Sequence, residues 1–152
     1  MPQSLSNISI HIVFSTKHRQ NWLTKEIRHE LYPYIAQILK NKNCCSCKIG
    51  GTENHIHILC PLPRTISISK LIEDLKVVTS KWIKTKSPTF INFHWQTGYA
   101  AFSISPGHIE IVSSYIENQE AHHKGVSFED ELCKLLNKYN IPFDQRYLFN
   151  EN

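Results

Sequence analysis

The sequence predicts an α+β protein of the ferredoxin-like, split βαβ class, with an antiparallel sheet, helices on one face and additional C-terminal helices. Two observations favour this class. Four short segments rich in β-branched and aromatic residues alternate with helical segments in the order β-α-β-β-α-β, and more helical segments follow the last strand. The second face of such a sheet is expected to be free for a ligand or partner. At 152 residues, the chain fits one domain, expected over residues 1–152.

The first strand and the first helix are predicted over residues 8–40. Ile8–Ser15 alternates in polarity and is rich in β-branched residues, which is typical of a strand. After a basic turn, Thr24 is a suitable N-cap residue, and apolar residues then recur at three- and four-residue spacings to about Lys40. Pro33 lies inside this helix, so we expect it to kink or split the helix.

Two further strands and a second helix follow. Cys47–Gly50 and Asn54–Pro61 are predicted to form strands joined by a hairpin-like turn that contains Gly51. Ser67 then begins a helix with an apolar stripe on one side and lysines off that stripe, and the pattern ends at Pro88. The exposed side of this helix is therefore expected to be basic.

The C-terminal third predicts one more strand and two more helices. Ala100–Ser105 has the composition of a strand, and a third helix is expected after Pro106. Ser127, followed three residues later by Asp130, resembles a capping box and predicts the start of a fourth helix. The apolar residues of that helix are Leu132, Leu135, Leu136 and Tyr139.

Composition excludes several classes of protein. Hydrophobic residues make up 41% of the chain and charged residues 20%, which is typical of a folded globular protein. No apolar run approaches the roughly 18 residues of a membrane span, and the first residues lack the features of a signal peptide. We therefore expect a cytoplasmic protein without a membrane partner. The net charge of +4 is compatible with binding a polyanion but is common among other proteins.

The most informative motif is His55-Ile56-His57, inside an apolar strand. Alternate residues of a strand point to the same face, so both imidazoles are expected to face one way and to offer two nitrogen ligands to a divalent metal. The alternative is a pair of half-buried histidines on a solvated sheet face. The motif alone does not decide between them.

Tyr115 and Gln119 favour the metal site. Their i, i+4 spacing on a predicted helix places a phenol and a carboxamide on one helix face. If that face lies over the histidine strand, one site contains metal ligands and a hydroxyl that can attack an electrophile. Cleavage of a phosphodiester is the chemistry that such a set favours.

These motifs resemble those of the single-tyrosine HUH endonucleases, and within them the small TnpA-type transposases of insertion sequences that move as single strands. His55-Ile56-His57 corresponds to the His-hydrophobic-His motif, and Tyr115 with Gln119 to the tyrosine helix. The resemblance covers nearly the whole chain and would make it a single HUH transposase domain. The flanking stretches that share it are residues 12–19, 75–81, 95–103, 115–123 and 142–148.

The resemblance implies that His55, His57 and Gln119 hold a divalent metal, most often Mg²⁺ or Mn²⁺, beside the scissile phosphate. Tyr115 would attack that phosphate and form a 5′-phosphotyrosine and a free 3′-hydroxyl, without a nucleotide cofactor. Two imidazole ligands also suit softer ions, so manganese, cobalt and zinc are alternatives to magnesium.

The resemblance further implies single-stranded DNA with imperfect hairpins as the substrate, and a homodimer whose subunits share their active sites. Because single strands and hairpins are bound mainly through phosphate, we expect basic residues to contact the DNA backbone. The candidates are Lys17, Arg19, Lys76, Lys81 and Lys84.

Two other functions are compatible with the same fold. One is a ferredoxin-like nucleic-acid-binding module without catalysis, although no strand here shows the exposed aromatic pattern that such modules use to stack bases. The other is an inactive or host-domesticated relative that still binds hairpins. The short length of the chain and the absence of a basic tail favour the ordinary transposase.

Overall fold

In a computed structural model, which describes residues 1–45 and 47–149, four antiparallel strands form one sheet. The strands are β1 (Ser9–Ser15), β2 (Lys48–Gly51), β3 (His55–Pro61) and β4 (Ala100–Ile104), and their order across the sheet is β2-β3-β1-β4. Strand β1 is central, and its Val13 lies opposite His57 on one side and Ala100 on the other. The predicted fold class is confirmed, and each strand begins and ends within one residue of its predicted limits.

In the described part of the chain, six α-helices accompany the sheet. They are α1 (Lys25–Asn41), α2 (Ile68–Lys84), α3 (Ile109–Glu117), α4 (Gln119–His122), α5 (Phe128–Lys138) and α6 (Gln145–Leu148). The predicted N-caps are confirmed, because the side chains of Thr24, Ser67 and Ser127 accept hydrogen bonds from backbone N–H groups at 3.3, 3.1 and 3.1 Å. No helix in residues 1–45 and 47–149 is long and apolar enough to cross a bilayer.

Helix α1 is continuous through Pro33 to Asn41, so the expectation that this proline splits the helix is wrong. The reason lies in its position. Pro33 has no N–H group to donate to the carbonyl of His29. Both residues are exposed. Water can therefore satisfy that carbonyl, and the other face of the helix stays packed on the core.

One face of the sheet forms the main apolar core with α1 and α2. Alternate residues of the two central strands point to this side and pack against buried residues of both helices, such as Leu31 and Leu75. The sheet residues of this face are Ile10, Ile12, Phe14, Ile56, Ile58 and Cys60.

The second face of the sheet is not free, contrary to the expectation from the sequence. Phe128 and Leu136 of α5 pack on Val13 and Phe102, while Ile116 of α3 packs on Leu59 and Ile104. The amphipathic C-terminal helices have apolar stripes that must be buried, and this face of the sheet is where they bury them. Polar residues of β1 and β3 are thereby enclosed between the sheet and α3–α5.

Arg28 connects the two sides of the molecule. Its guanidinium is almost fully buried and donates to the carbonyl of Leu23 at 2.5 Å and to the Glu120 carboxylate at 2.7 Å. Because Arg28 lies on α1 and Glu120 on α4, this ion pair attaches the short helix of the second face to the helix layer of the first.

Candidate active site

His55 and His57 lie on β3 with their rings on the same face, as their spacing predicts. Both are fully buried, and their ring centroids are 5.1 Å apart. The alternative of half-buried histidines on a solvated face is therefore wrong, because α3–α5 enclose both rings. A buried imidazole needs polar partners, and each ring has them.

Tyr115 and Gln119 lie beside these histidines in the same chain. The amide oxygen of Gln119 is 3.1 Å from His55 Nε2, and the ring of Tyr115 is 5.8 Å from the ring of His57, centroid to centroid. The single helix expected here is interrupted at Asn118, where α3 gives way to α4. Tyr115 and Gln119 stay adjacent across the break, with Gln119 Nε2 3.5 Å from the Tyr115 carbonyl.

The centre of the site is Glu131 of α5, a residue that was not predicted from the sequence. Its side chain is only 2% exposed. One carboxylate oxygen lies 3.0 Å from His57 Nε2 and 3.5 Å from His55 Nε2. The other oxygen accepts hydrogen bonds from the Tyr115 hydroxyl and, at 3.0 Å, from the amide of Gln119. One carboxylate thus contacts all four side chains predicted for the site.

A signal for Glu131 is present in the sequence. It lies three residues after Phe128 and four before Leu135, both of which belong to the apolar side of α5. A carboxylate on the apolar stripe of an amphipathic helix must be buried with partners, because a lone buried charge is costly. Its partners are distant in sequence, so spacing alone does not identify them.

Two histidines of the α4–α5 connection also face Glu131. His123 Nε2 lies 3.0 Å from the carboxylate, but it is buried without a hydrogen bond of acceptable geometry among the described residues. His122 lies 3.4 Å from the other carboxylate oxygen and is about one-third exposed. His108, in contrast, contacts Ser105 at 2.7 Å and takes no part in the cluster.

Burial and mutual contact shift the pKa values of the cluster. Burial alone would raise the pKa of Glu131, but its close polar contacts with the imidazoles of His123, His55 and His57 hold that pKa well below the usual range. Burial and the hydrogen bond to Glu131 raise the pKa of Tyr115. Burial lowers the pKa of His57 to about 4, so this ring is neutral near pH 7, the form that binds metals.

His11 of β1 fixes the orientation of His57. Its Nε2 is 2.7 Å from His57 Nδ1, and the two rings stack with centroids 5.0 Å apart. Burial lowers the pKa of His11 to about 3, so both rings are neutral and one nitrogen donates to the other. This contact occupies Nδ1 of His57 and leaves its Nε2 directed at the centre of the site, the usual arrangement for a metal-binding histidine.

The donor atoms fit a divalent metal. One ligand atom from each of His55, His57, His123 and Glu131 can be chosen so that all four lie within 4.8 Å of one another. Imidazole and carboxylate donors together suit zinc, manganese and cobalt better than an all-oxygen set of donors does. Among the described residues, the buried Nε2 of His123 has no hydrogen-bond partner. The oxygen of Gln119 lies at the edge of this group, beside His55.

Gly50 allows the tyrosine helix to approach the sheet. It lies opposite His57 in the β2–β3 ladder, and a Cβ atom added there would be 2.2 Å from the carbonyl oxygen of Ile116. Only glycine fits this contact. Because Ile116 follows Tyr115 directly, this close approach fixes the height of the phenol above the histidines.

The predicted DNA-contacting residues do not surround the cluster. Arg19 forms an ion pair with Glu129 at 2.5 Å, and Lys76 donates to the carbonyls of Gln96 and Gly98 at 2.8 and 2.5 Å. Lys76, Lys81 and Lys84 all belong to α2, which packs on the opposite face of the sheet. Lys17 is exposed in the turn after β1. Their contacts with DNA stay a prediction.

Comparison with known proteins identifies the family of this chain. The family model described as "Transposase IS200 like" matches residues 4–119. A putative transposase from Deinococcus radiodurans R1 is similar in structure, with a TM-score of 0.60 and 19% identity over 76% of this chain and 93% of that one. No curated protein matches the chain significantly.

A second solved structure shares the fold. It is a REP-associated tyrosine transposase bound to a REP hairpin, with a TM-score of 0.56 and 16% identity over 82% of this chain and 73% of that one. The family match covers three-quarters of the chain and includes His55, His57, Tyr115 and Gln119. On this match, the chain belongs to the family of IS200-like transposases.

Proposed function

We propose that this transposase is a metal-dependent endonuclease and strand transferase for single-stranded DNA, and that it works through a 5′-phosphotyrosine on Tyr115. One observation carries the proposal. Within one chain, the Tyr115 hydroxyl donates to the carboxylate that also contacts His55 and His57. A nucleophile and a set of metal ligands therefore meet at one point, which is the arrangement that covalent phosphodiester cleavage requires.

In the proposed reaction, the Tyr115 oxygen forms a bond to phosphorus and loses its proton, while the bond from phosphorus to the 3′-oxygen breaks. The 3′-oxygen leaves with a proton as a hydroxyl, and the 5′ side stays on the tyrosine. Attack by a new 3′-hydroxyl reverses these steps and joins the strands. The energy of the broken bond is kept in the phosphotyrosine, so no nucleotide cofactor is needed.

The protein side chains orient the reacting groups. Glu131 accepts the hydrogen bond of the phenol and fixes its direction, and Gln119 donates to the same carboxylate oxygen at 3.0 Å. His11 orients His57 from behind. With Mg²⁺ or Mn²⁺ held by His55, His57 and Gln119, and also by Glu131, the site would gain electrophilic activation of the phosphate.

We propose single strands with imperfect hairpins as the substrate. The similar structure in complex with a REP hairpin supports this substrate class. The net charge of +4 is compatible with it. We also propose that the protein acts in the cytoplasm.

The first experiment is adduct formation. Wild-type protein, Mn²⁺ and a labelled library of single strands, each with an imperfect hairpin and randomised flanks, are expected to give a covalent adduct on a denaturing gel. Tyr115→Phe is expected to abolish the adduct and keep hairpin binding. Tyr99→Phe, which alters an exposed tyrosine, is the control. An adduct in Tyr115→Phe or in excess chelator would contradict the proposal, and binding without an adduct by the wild type would favour the hairpin-binding relative.

The homodimer with shared active sites is a second part of the proposal. Tyr115 already lies beside His57 of its own chain, so sharing requires exchange of the tyrosine helix between subunits. A mixture of His57→Ala and Tyr115→Phe proteins tests the exchange, since shared sites recover activity only when the two inactive variants combine. Failure of the mixture to form adducts, with light scattering showing mixed dimers, would assign the reaction to single subunits.

A further inference from the structure

A cavity of about 360 Å³ opens directly beside the proposed nucleophile. It lies between α3 and α5 over the β1–β4 side of the sheet, and its polar lining residues include His11, Tyr115, His122 and Glu131. Tyr115, Glu131 and His11 already have roles in the proposed reaction. The remainder of the cavity has no role in holding the metal or the phenol.

The walls of this cavity are mostly apolar and partly aromatic. Val112 of α3, Leu135 of α5, Tyr139 and Ile104 all line it. The Tyr139 ring is held by stacking on Phe102, with centroids 4.6 Å apart and planes 28° apart. Ile111 lines the outer part of the cavity and is 65% exposed. Such walls suit a flat, weakly polar group better than a charged one.

The rim of the cavity is basic. Lys134 and Lys138 line it from α5, one helical turn apart, and both are exposed. They stand on the tyrosine side of the sheet, whereas Lys76, Lys81 and Lys84 are on the opposite side. An apolar cavity with two ammonium groups at its edge is complementary to a nucleotide, which joins an apolar-faced base to an anionic phosphate.

We propose that this cavity holds the base and sugar of a nucleotide that adjoins the scissile phosphate, while Lys134 and Lys138 contact the neighbouring phosphates. The inference rests on the proposed function. A phosphorus within attacking distance of the Tyr115 oxygen must be about 3–3.5 Å from it, and every such phosphate carries a nucleoside on each side. Tyr115 lines the cavity, so the cavity receives one of the two.

The chemistry of the walls also defines what the cavity recognises. Its sides offer stacking surfaces and few hydrogen-bonding groups. They therefore favour any base that is free to leave a stack, and they do not distinguish one type of base from another. A paired base in a duplex is not available for such a pocket without being flipped out. The cavity therefore provides a physical reason for a preference for single strands at the cleavage position.

The test combines abasic substrates with a substitution that fills the cavity. Once the cleaved position has been found, strands that lack one base at each flanking position in turn are compared with the intact strand. At subsaturating protein, loss of the base that enters the cavity is expected to slow adduct formation about ten-fold, the size of one lost stacking contact. Ile111→Trp is expected to slow cleavage of the intact strand similarly and to leave cleavage of that abasic strand unchanged.

Two further variants complete the test. Val77→Trp places the same bulk at an exposed apolar position of α2 and is expected to cleave every strand like the wild type. Lys134→Ala with Lys138→Ala is expected to weaken strand binding and to reduce its dependence on salt. Equal rates on intact and abasic strands, or an equal loss on both in Ile111→Trp, would overturn this inference alone. Absence of any adduct with the wild type would overturn the proposed function as well.

Discussion

The two faces of strand β3 are equally buried but differ in what encloses them. Ile56 and Ile58 point to one side and His55 and His57 to the other, and all four are 0% exposed. The isoleucines contact the apolar residues of α1 and α2. The histidines contact Gln119 and Glu131. Burial alone therefore does not identify a core residue, because the partners decide whether a buried position stabilises the fold or prepares a site.

The difference extends to how each face is built. The apolar face is completed by helices between the strands, within residues 4–119 that the family model matches. The polar face needs Glu131 from α5, which follows those residues. Burying this cluster of imidazoles and one carboxylate costs desolvation energy, whereas burying apolar side chains does not. We therefore attribute the cluster to function.

The largest expected effects come from replacing one residue on each face of β3 by alanine. His57→Ala is expected to lower Mn²⁺ affinity about 100-fold or more and to stop adduct formation, because it removes a central ligand. Ile58→Ala is expected to lower the free energy of unfolding by about 2–5 kcal/mol by leaving a cavity, while the folded fraction still forms adducts. Calorimetric titration of Mn²⁺ and denaturant unfolding measure the two effects. If His57→Ala bound Mn²⁺ as tightly as the wild type does, the histidine face would not be the metal-binding face.

A smaller effect is expected from a substitution of Glu131, the residue that α5 contributes to the site. Glu131→Gln keeps the shape of the side chain but removes the charge that faces four imidazoles, so Mn²⁺ affinity is expected to fall about 10–100-fold. Asp130→Asn, at the neighbouring exposed position of the same helix, is the matched control and should bind Mn²⁺ as the wild type does. Equal affinities of the two variants would restrict the metal site to residues of β3 and α4.

The smallest effect on metal affinity is expected from a substitution that alters only the distance between α3 and the sheet. Gly50→Ala adds a Cβ atom that would meet the Ile116 carbonyl, so α3 must shift. We expect a loss of about 1–3 kcal/mol in unfolding free energy. A displacement near 1 Å of a reacting group can cost about 100-fold in rate, so adduct formation should slow while metal affinity is kept. Gly107→Ala, where an added Cβ meets no atom within 4 Å, is the control.

The sequence predicted those parts of the molecule that depend on local pattern. Alternation in residues 8–15 and 54–61 predicted which side chains share a sheet face, and the spacing of Tyr115 and Gln119 placed them together. Caps such as Thr24 and Ser127 were identifiable because a helix start needs a side-chain acceptor near its free N–H groups. These features are set within a few residues of the chain.

The features that were missed depend on packing between distant segments. Glu131 is 74 residues from His57, and no spacing rule connects a helix carboxylate to a strand that far away. The second sheet face was expected to be free because the C-terminal helices were predicted without a place to bury their apolar stripes. For Pro33, local propensity indicated a break, but packing of α1 on the core outweighed it.

The buried ion pair of Arg28 with Glu120 has a consequence for protein engineering. Glu120 follows Gln119 directly, and this pair attaches it to α1 on the opposite face of the sheet. The geometry of the site therefore depends on residues outside it. Grafting the two histidines, the tyrosine and the glutamine onto another four-stranded scaffold would omit this anchor. A transplant that aims to reproduce the geometry must therefore carry an arginine from the far layer as well.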